Sequence, residues 1–244
     1  SNVNYRGESG KTPLHVAALR LFPEAIHLLL MYGADVNATD DSGQTPLHCV
    51  KYGEEDSVCI MHQLCLAGAR VDARDMKSRT PLHVNADRTH NKMNIFTDMQ
   101  YLIDAGSGIE AKDCDGKTAL HITAKDGLSS VAQILLKNWA NPDTCDLWGN
   151  TPLFLESDDY YEPTSYLDTL LEKGANINVR NDVGDTPLHR ACSENTPVYT
   201  WVRALVEVGA DVNAKNGVGD TPLHKVSLLR WTEITTFLLA NGAD

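Results

Sequence analysis

Apolar and polar positions alternate here in short groups with helical spacing, and the groups return at long, regular intervals. Apolar residues fall at i, i+3 and i+4 in Ile26, Leu29 and Leu30, and again in Val131, Ile134 and Leu135. The same trio recurs in Leu167, Leu170 and Leu171, in Val202, Leu205 and Val206, and in Ile234, Phe237 and Leu238. That spacing sets each trio on one face of a helix. Gly33, Gly68, Gly174, Gly209 and Gly242 stand where a helix needs a left-handed residue to end. Polar segments rich in Asp, Asn and Gly follow, such as Asp40-Asp41-Ser42-Gly43, and these predict turns.

A second helix precedes each trio. Thr-Pro-Leu-His begins at Thr12, Thr45, Thr80, Thr186 and Thr221, with degenerate copies at Thr118 (Thr-Ala-Leu-His) and Thr151 (Thr-Pro-Leu-Phe). The threonine suits a helix N-cap, and proline suits the first helical position, where its missing N–H is not needed. Small residues such as Ala17 and Ala18 then let a neighbouring helix approach closely. Histidine placed periodically in these first turns predicts structural hydrogen bonds to neighbouring repeats, not proton transfer. Successive copies start 33, 35, 38, 33, 35 and 35 residues apart. From the cap position (Gly33, Gly68, Gly106, Trp139, Gly174, Gly209) to the next threonine the count is always 12. All the length variation therefore lies between the two helices, around Tyr52–Asp56, Asp87–Ile95, Glu156–Thr164 and Ser193–Val198.

A companion phrase reads Gly33-Ala34-Asp35-Val36-Asn37-Ala38, with copies at Gly68–Ala73, Gly174–Asn178 and Gly209–Ala214. The combination resembles the ankyrin-repeat family, over nearly every residue. The resemblance implies an all-α solenoid of helix-turn-helix repeats with short β-hairpin fingers. Residues 1–244 are expected to form one such domain, with a partial repeat at residues 1–11, as a fragment of a longer array. No repeat of this kind buries its apolar face alone, so stability comes from stacking neighbours. The family implies a non-catalytic module that binds a partner protein or peptide through a concave groove and the finger tips. The alternative is a regulatory or substrate-recruiting array of a longer enzyme, channel, ubiquitin-ligase adaptor or host-targeting pathogen effector.

Charge narrows the partner. The net charge of −12 repels phosphates, which argues against nucleic acid and anionic lipid and favours a basic protein or peptide. No apolar run is long enough to span a membrane. The cysteines (49, 59, 65, 114, 145 and 192) show no paired spacing, which predicts a reducing, intracellular setting, cytoplasmic or nuclear, without a disulfide scaffold; the chain is expected to be a monomer. No metal or cofactor is expected. Gly10-Lys11-Thr12 and Gly116-Lys117-Thr118 lack the earlier glycine of a phosphate loop, and Asp113-Cys114-Asp115-Gly116 lacks the rest of a calcium loop.

Recognition should sit where the repeats differ. The loop after Thr151 combines carboxylates with Asp158, Asp159, Tyr160 and Tyr161, a composition suited to a basic peptide. The finger before it carries the apolar pair Leu147 and Trp148, and Met76 marks another tip. Asn37, Asn178 and Asn213 each follow a leucine by eight residues, which resembles asparagines hydroxylated in other ankyrin proteins. Departures from the pattern concentrate in the third to fifth repeats. Asn85 replaces a small apolar residue, and Trp139 replaces a cap glycine, with Asn138 expected to take the left-handed conformation instead.

Overall fold

The computed structural model describes residues 2–87, 95–125, 129–154, 163–193, 199–229 and 231–244. It divides into two compact halves, Ser1–Ala119 and Leu120–Asp244. In the N-terminal half, inner helices α1 (Pro13–Arg20), α3 (Pro46–Cys49) and α5 (Pro81–Asp87) alternate with outer helices α2 (Pro23–Met31), α4 (Ser57–Leu66) and α6 (Ile95–Asp104). α1 packs on α2 and α3, α2 on α4, and α4 on α6. The C-terminal half holds α7 (Ala119–Lys125), α8 (Ser129–Lys137), α9 (Pro163–Glu172), α10 (Pro187–Ala191), α11 (Tyr199–Glu207), α12 (Pro222–Leu229) and α13 (Thr232–Ala240). Here α8 packs on α9, α9 on α11, and α10 on both α11 and α12.

The helical trios supply the core. Val131, Ile134, Leu135, Leu167, Leu170, Val202 and Leu205 are all buried, as are Leu14, Leu47, Leu82, Leu120, Leu153 and Leu188 of the repeated motif. Each such side chain contributes about 1.5–3 kcal/mol when taken out of water. No strand forms among the described residues. The expected β-hairpin fingers are instead tight turns, each closed by bonds such as Asp40 N–H to Gln44 O (2.9 Å) and Gly43 N–H to Asp40 O (3.0 Å). One turn per finger leaves too short a paired run for a ladder.

The threonine–histidine pair forms a cap that also joins repeats. Thr12 N–H donates to His15 Nδ1 at 3.1 Å, so the proton sits on Nε2, which donates to Gln44 O at 2.9 Å. His48 reaches Arg79 O, His83 reaches Lys117 O, His121 reaches Asn150 O and His189 reaches Asp220 O. Each acceptor is the residue just before the next repeat's threonine. The fifth repeat breaks the pattern. Phe154 replaces the histidine, residues 152–154 make a turn, and the buried Thr151 hydroxyl has no hydrogen-bond partner.

Three other departures have local causes. Trp139 itself adopts the left-handed conformation (φ 71°), and Asn138 does not. Asn138 directly follows the last residue of α8, and its carboxamide donates to Ile134 O at 2.9 Å. Asn85 is fully buried with neither amide atom bonded. The enlarged loop after α3 is anchored. Tyr52 is buried with its hydroxyl donating to Leu47 O at 2.7 Å, and buried Asp98 of α6 accepts from Gly53 N–H and from Ser57 Oγ (2.6 Å).

Candidate functional site

The fingers are built on one device. An Asp or Asn opens each turn, and its Oδ1 accepts the N–H groups two and four residues later. Asp40 accepts from Ser42 and Gln44, Asp75 from Lys77 and Arg79, and Asp146 from Trp148 and Asn150. Asn181 and Asn216 do the same for Val183 and Asp185, and for Val218 and Asp220. Asp75 also holds Arg79 in a paired contact at 2.8 Å, and these bonds keep its carboxyl below the usual range against the opposing pull of burial. Neighbouring fingers are pinned by single backbone bonds: Met76 N–H to Ser42 O, Cys114 N–H to Lys77 O, Asp182 N–H to Trp148 O and Gly217 N–H to Val183 O.

This places several expected residues at turn tips. Met76 is 77% exposed, Leu147 65% and Trp148 52%. Leu147 and Trp148 sit together, while Met76 belongs to the other half. Asp158, Asp159, Tyr160 and Tyr161 lie outside the described residues. Two tips carry more than the sequence reading credited: Val183 is 63% exposed and Val218 81%. The signal available was their register, since Trp148, Val183 and Val218 each stand directly before the turn glycine.

The asparagines at the finger bases clamp successive repeats. Asn37 donates to Gly68 O (2.9 Å) and accepts from Arg70 N–H (2.9 Å). Asn213 does the same with Gly242 O and Asp244 N–H, and Asn178 accepts from Asp211 N–H. An open polar depression lies beside Asn4, Arg6, Thr12, Asp35, Asn37, Ala38 and Thr39. Its cation is already committed, because Arg6 donates to Thr39 O and pairs with Asp41 at 2.8 Å.

His15, His48, His83 and His189 all have pKa values held down by burial, in keeping with neutral capping roles. Tyr101 is pushed up to about 12 by burial and by Cys65, whose thiol is itself raised by burial. A raised thiol is a weak nucleophile. Among the described residues no His, Cys, Asp or Glu cluster has the geometry to hold a metal, and no helix is long and apolar enough to cross a membrane.

Comparison with known proteins agrees with this architecture. The family described as "Ankyrin repeats (3 copies)" matches residues 49–146, 95–181 and 160–244, and "Ankyrin repeats (many copies)" matches residues 1–49. The chain belongs to the ankyrin-repeat family. Among solved structures it resembles the ankyrin repeat domain of Bcl-3, a member of the IkappaB protein family, with TM-score 0.72 and 29% identity over 96% of this chain and all of that one. The human ASB11 ankyrin repeat domain superposes with TM-score 0.78 at 23% identity over 96% of this chain and 99% of that one, a likeness of fold. The Target of rapamycin complex 2 subunit AVO2 of Saccharomyces cerevisiae is 42% identical over 52 residues, which is 21% of this chain and 12% of that protein.

Proposed function

We propose that this chain is a non-catalytic module that holds a partner protein or peptide at the finger tips of its C-terminal half. Ankyrin-repeat domains generally mediate protein–protein interaction. The observation that carries the local assignment is the exposed Leu147-Trp148 pair on a turn fixed by Asp146. An exposed indole on a rigid turn contributes contact area while losing little conformational freedom on binding. The acidic-aromatic loop of Asp158, Asp159, Tyr160 and Tyr161 completes the proposed contact region, with Met76 a separate contact. The C-terminal half has nine Lys and Arg against seventeen Asp and Glu, which supports a basic partner. The six cysteines show no paired spacing in the sequence, which fits a reducing compartment.

Pull-down with the full chain tests the assignment. Trp148→Ala and Tyr160→Ala should each lose the partner. If both variants retain it as well as the parent chain does, the contact region is wrong. A second reading, a recruiting array within a larger assembly, draws support from the yeast relative, which is a subunit of a complex.

A further inference from the structure

The tips of the C-terminal half have an order along them that specifies a ligand more narrowly, on the basis of the binding role just proposed. Trp148, Val183 and Val218 hold the same position in three successive fingers, each just before the turn glycine. The corresponding residues of the N-terminal half are Ser42, Lys77 and Asp115. Apolar side chains at all three places therefore mark one half and not the other.

The row is rigid. Asp182 N–H donates to Trp148 O at 3.1 Å, and Gly217 N–H to Val183 O at 3.0 Å. Side-chain amides reinforce it from below: Asn150 Nδ2 donates to Asp146 (3.3 Å), Asn181 Nδ2 to Asn150 (3.0 Å) and Asn216 Nδ2 to Asp185 (2.7 Å). Tips fixed in this way need little further ordering when a ligand arrives.

A carboxylate lies inside the row. A Cβ at Gly149 would stand 2.6 Å from Asp182 Oδ1, so the Asp182 side chain covers the turn that carries Trp148, with Val183 directly after it. Among the described residues this carboxylate has no ion pair and accepts no hydrogen bond. The nearby cation is already engaged, since Arg180 donates to Gly184 O and Lys215 O. The row thus reads apolar, anionic, apolar, apolar. Its complement is a cation between aliphatic side chains. Arginine fits better than lysine, because a guanidinium can pair with the carboxylate through two N–H groups and lie on the indole face. We propose that the finger tips Trp148, Asp182, Val183 and Val218 bind an extended peptide segment in which an arginine is flanked by aliphatic residues.

The probe is a random dodecamer peptide library displayed on phage and selected against the full chain. The expected winners carry arginine between aliphatic side chains. An enriched peptide, resynthesised with a fluorophore, should lose about ten-fold in affinity with Asp182→Asn, and comparably with Val183→Ser or Val218→Ser, as for the loss of one exposed charge-assisted or apolar contact. Binding should weaken with salt for the parent chain and much less for Asp182→Asn. Lys77→Ser should change nothing. All these side chains are exposed and unbonded, so melting curves should match the parent and exclude misfolding. No enrichment, or enrichment of acidic or uncharged peptides, overturns the proposal. If Trp148→Ala and Tyr160→Ala abolish binding while Asp182→Asn and Val218→Ser leave it intact, the tip row is wrong and the broader contact region stands. Indifference to all four substitutions removes both.

Discussion

Thr151 and Thr186 occupy the same motif position with opposite outcomes. Thr186 Oγ1 lies 2.8 Å from His189 Nδ1 and accepts from His189 N–H, whereas Thr151 is just as buried and its hydroxyl is orphaned by Phe154. A lost cap costs about 0.5–2 kcal/mol, while a buried hydroxyl without a partner is itself a penalty. Thr186→Val should therefore destabilise the chain by roughly 1–2 kcal/mol, and Thr151→Val should be neutral or stabilising. Urea titration of both variants checks this, and equal losses would contradict it. The histidine bonding was legible in the sequence, because periodic placement has a physical reason. The orphaned hydroxyl was not, since it depends on burial as well as on the missing partner. Asn85 was legible as a misfit, but its two unbonded amide atoms were not, because any loop or helix could in principle have supplied a bond.

At the scale of the element, the helices followed from apolar spacing and the caps from glycine. Gly33, Gly68, Gly106, Gly174, Gly209 and Gly242 all have positive φ. Trp139 shares that conformation, and its side chain is 91% exposed. Contacts are too few to explain it, and a left-handed residue other than glycine costs roughly 1–2 kcal/mol. Trp139→Gly should therefore raise stability by about 1 kcal/mol after the entropy cost of glycine in the unfolded chain, read as a shift in denaturant midpoint at constant slope. A fall in midpoint would show that the indole makes a stabilising contact. The sequence placed the misfit at this cap but assigned the left-handed turn to Asn138. Propensity favours asparagine there, yet Asn138 donates both its backbone N–H and its carboxamide to Ile134 O, which ties it to the last turn of α8. The finger row was only partly visible, because Val183 and Val218 look unremarkable until backbone bonds set them beside Trp148.

For the whole molecule the capping histidines set a pH response. Burial lowers the pKa of His15, His48, His83 and His189 from an ordinary value near 6.5. The unfolded chain then binds more protons than the folded one as pH falls below 6.5. Stability is complete above that value and is lost as pH drops through the folded pKa values. Each histidine adds up to about 1.4 kcal/mol per pH unit within its window. Unfolding free energy should be level from pH 8 to 7 and decline between pH 6.5 and 5, before most carboxylates titrate. A level or rising curve in that range would exclude the histidines as the cause.

The same histidine bond gives the repeats a direction. Every clasp belongs to one repeat and closes on the one that follows. Removing residues before Thr45 would leave the clasp from His48 to Arg79 whole. Removing residues after Lys215 would strand His189, whose acceptor is Asp220. Trimming from the two sides is therefore not equivalent, and loss of a repeat should be felt most by the repeat before it.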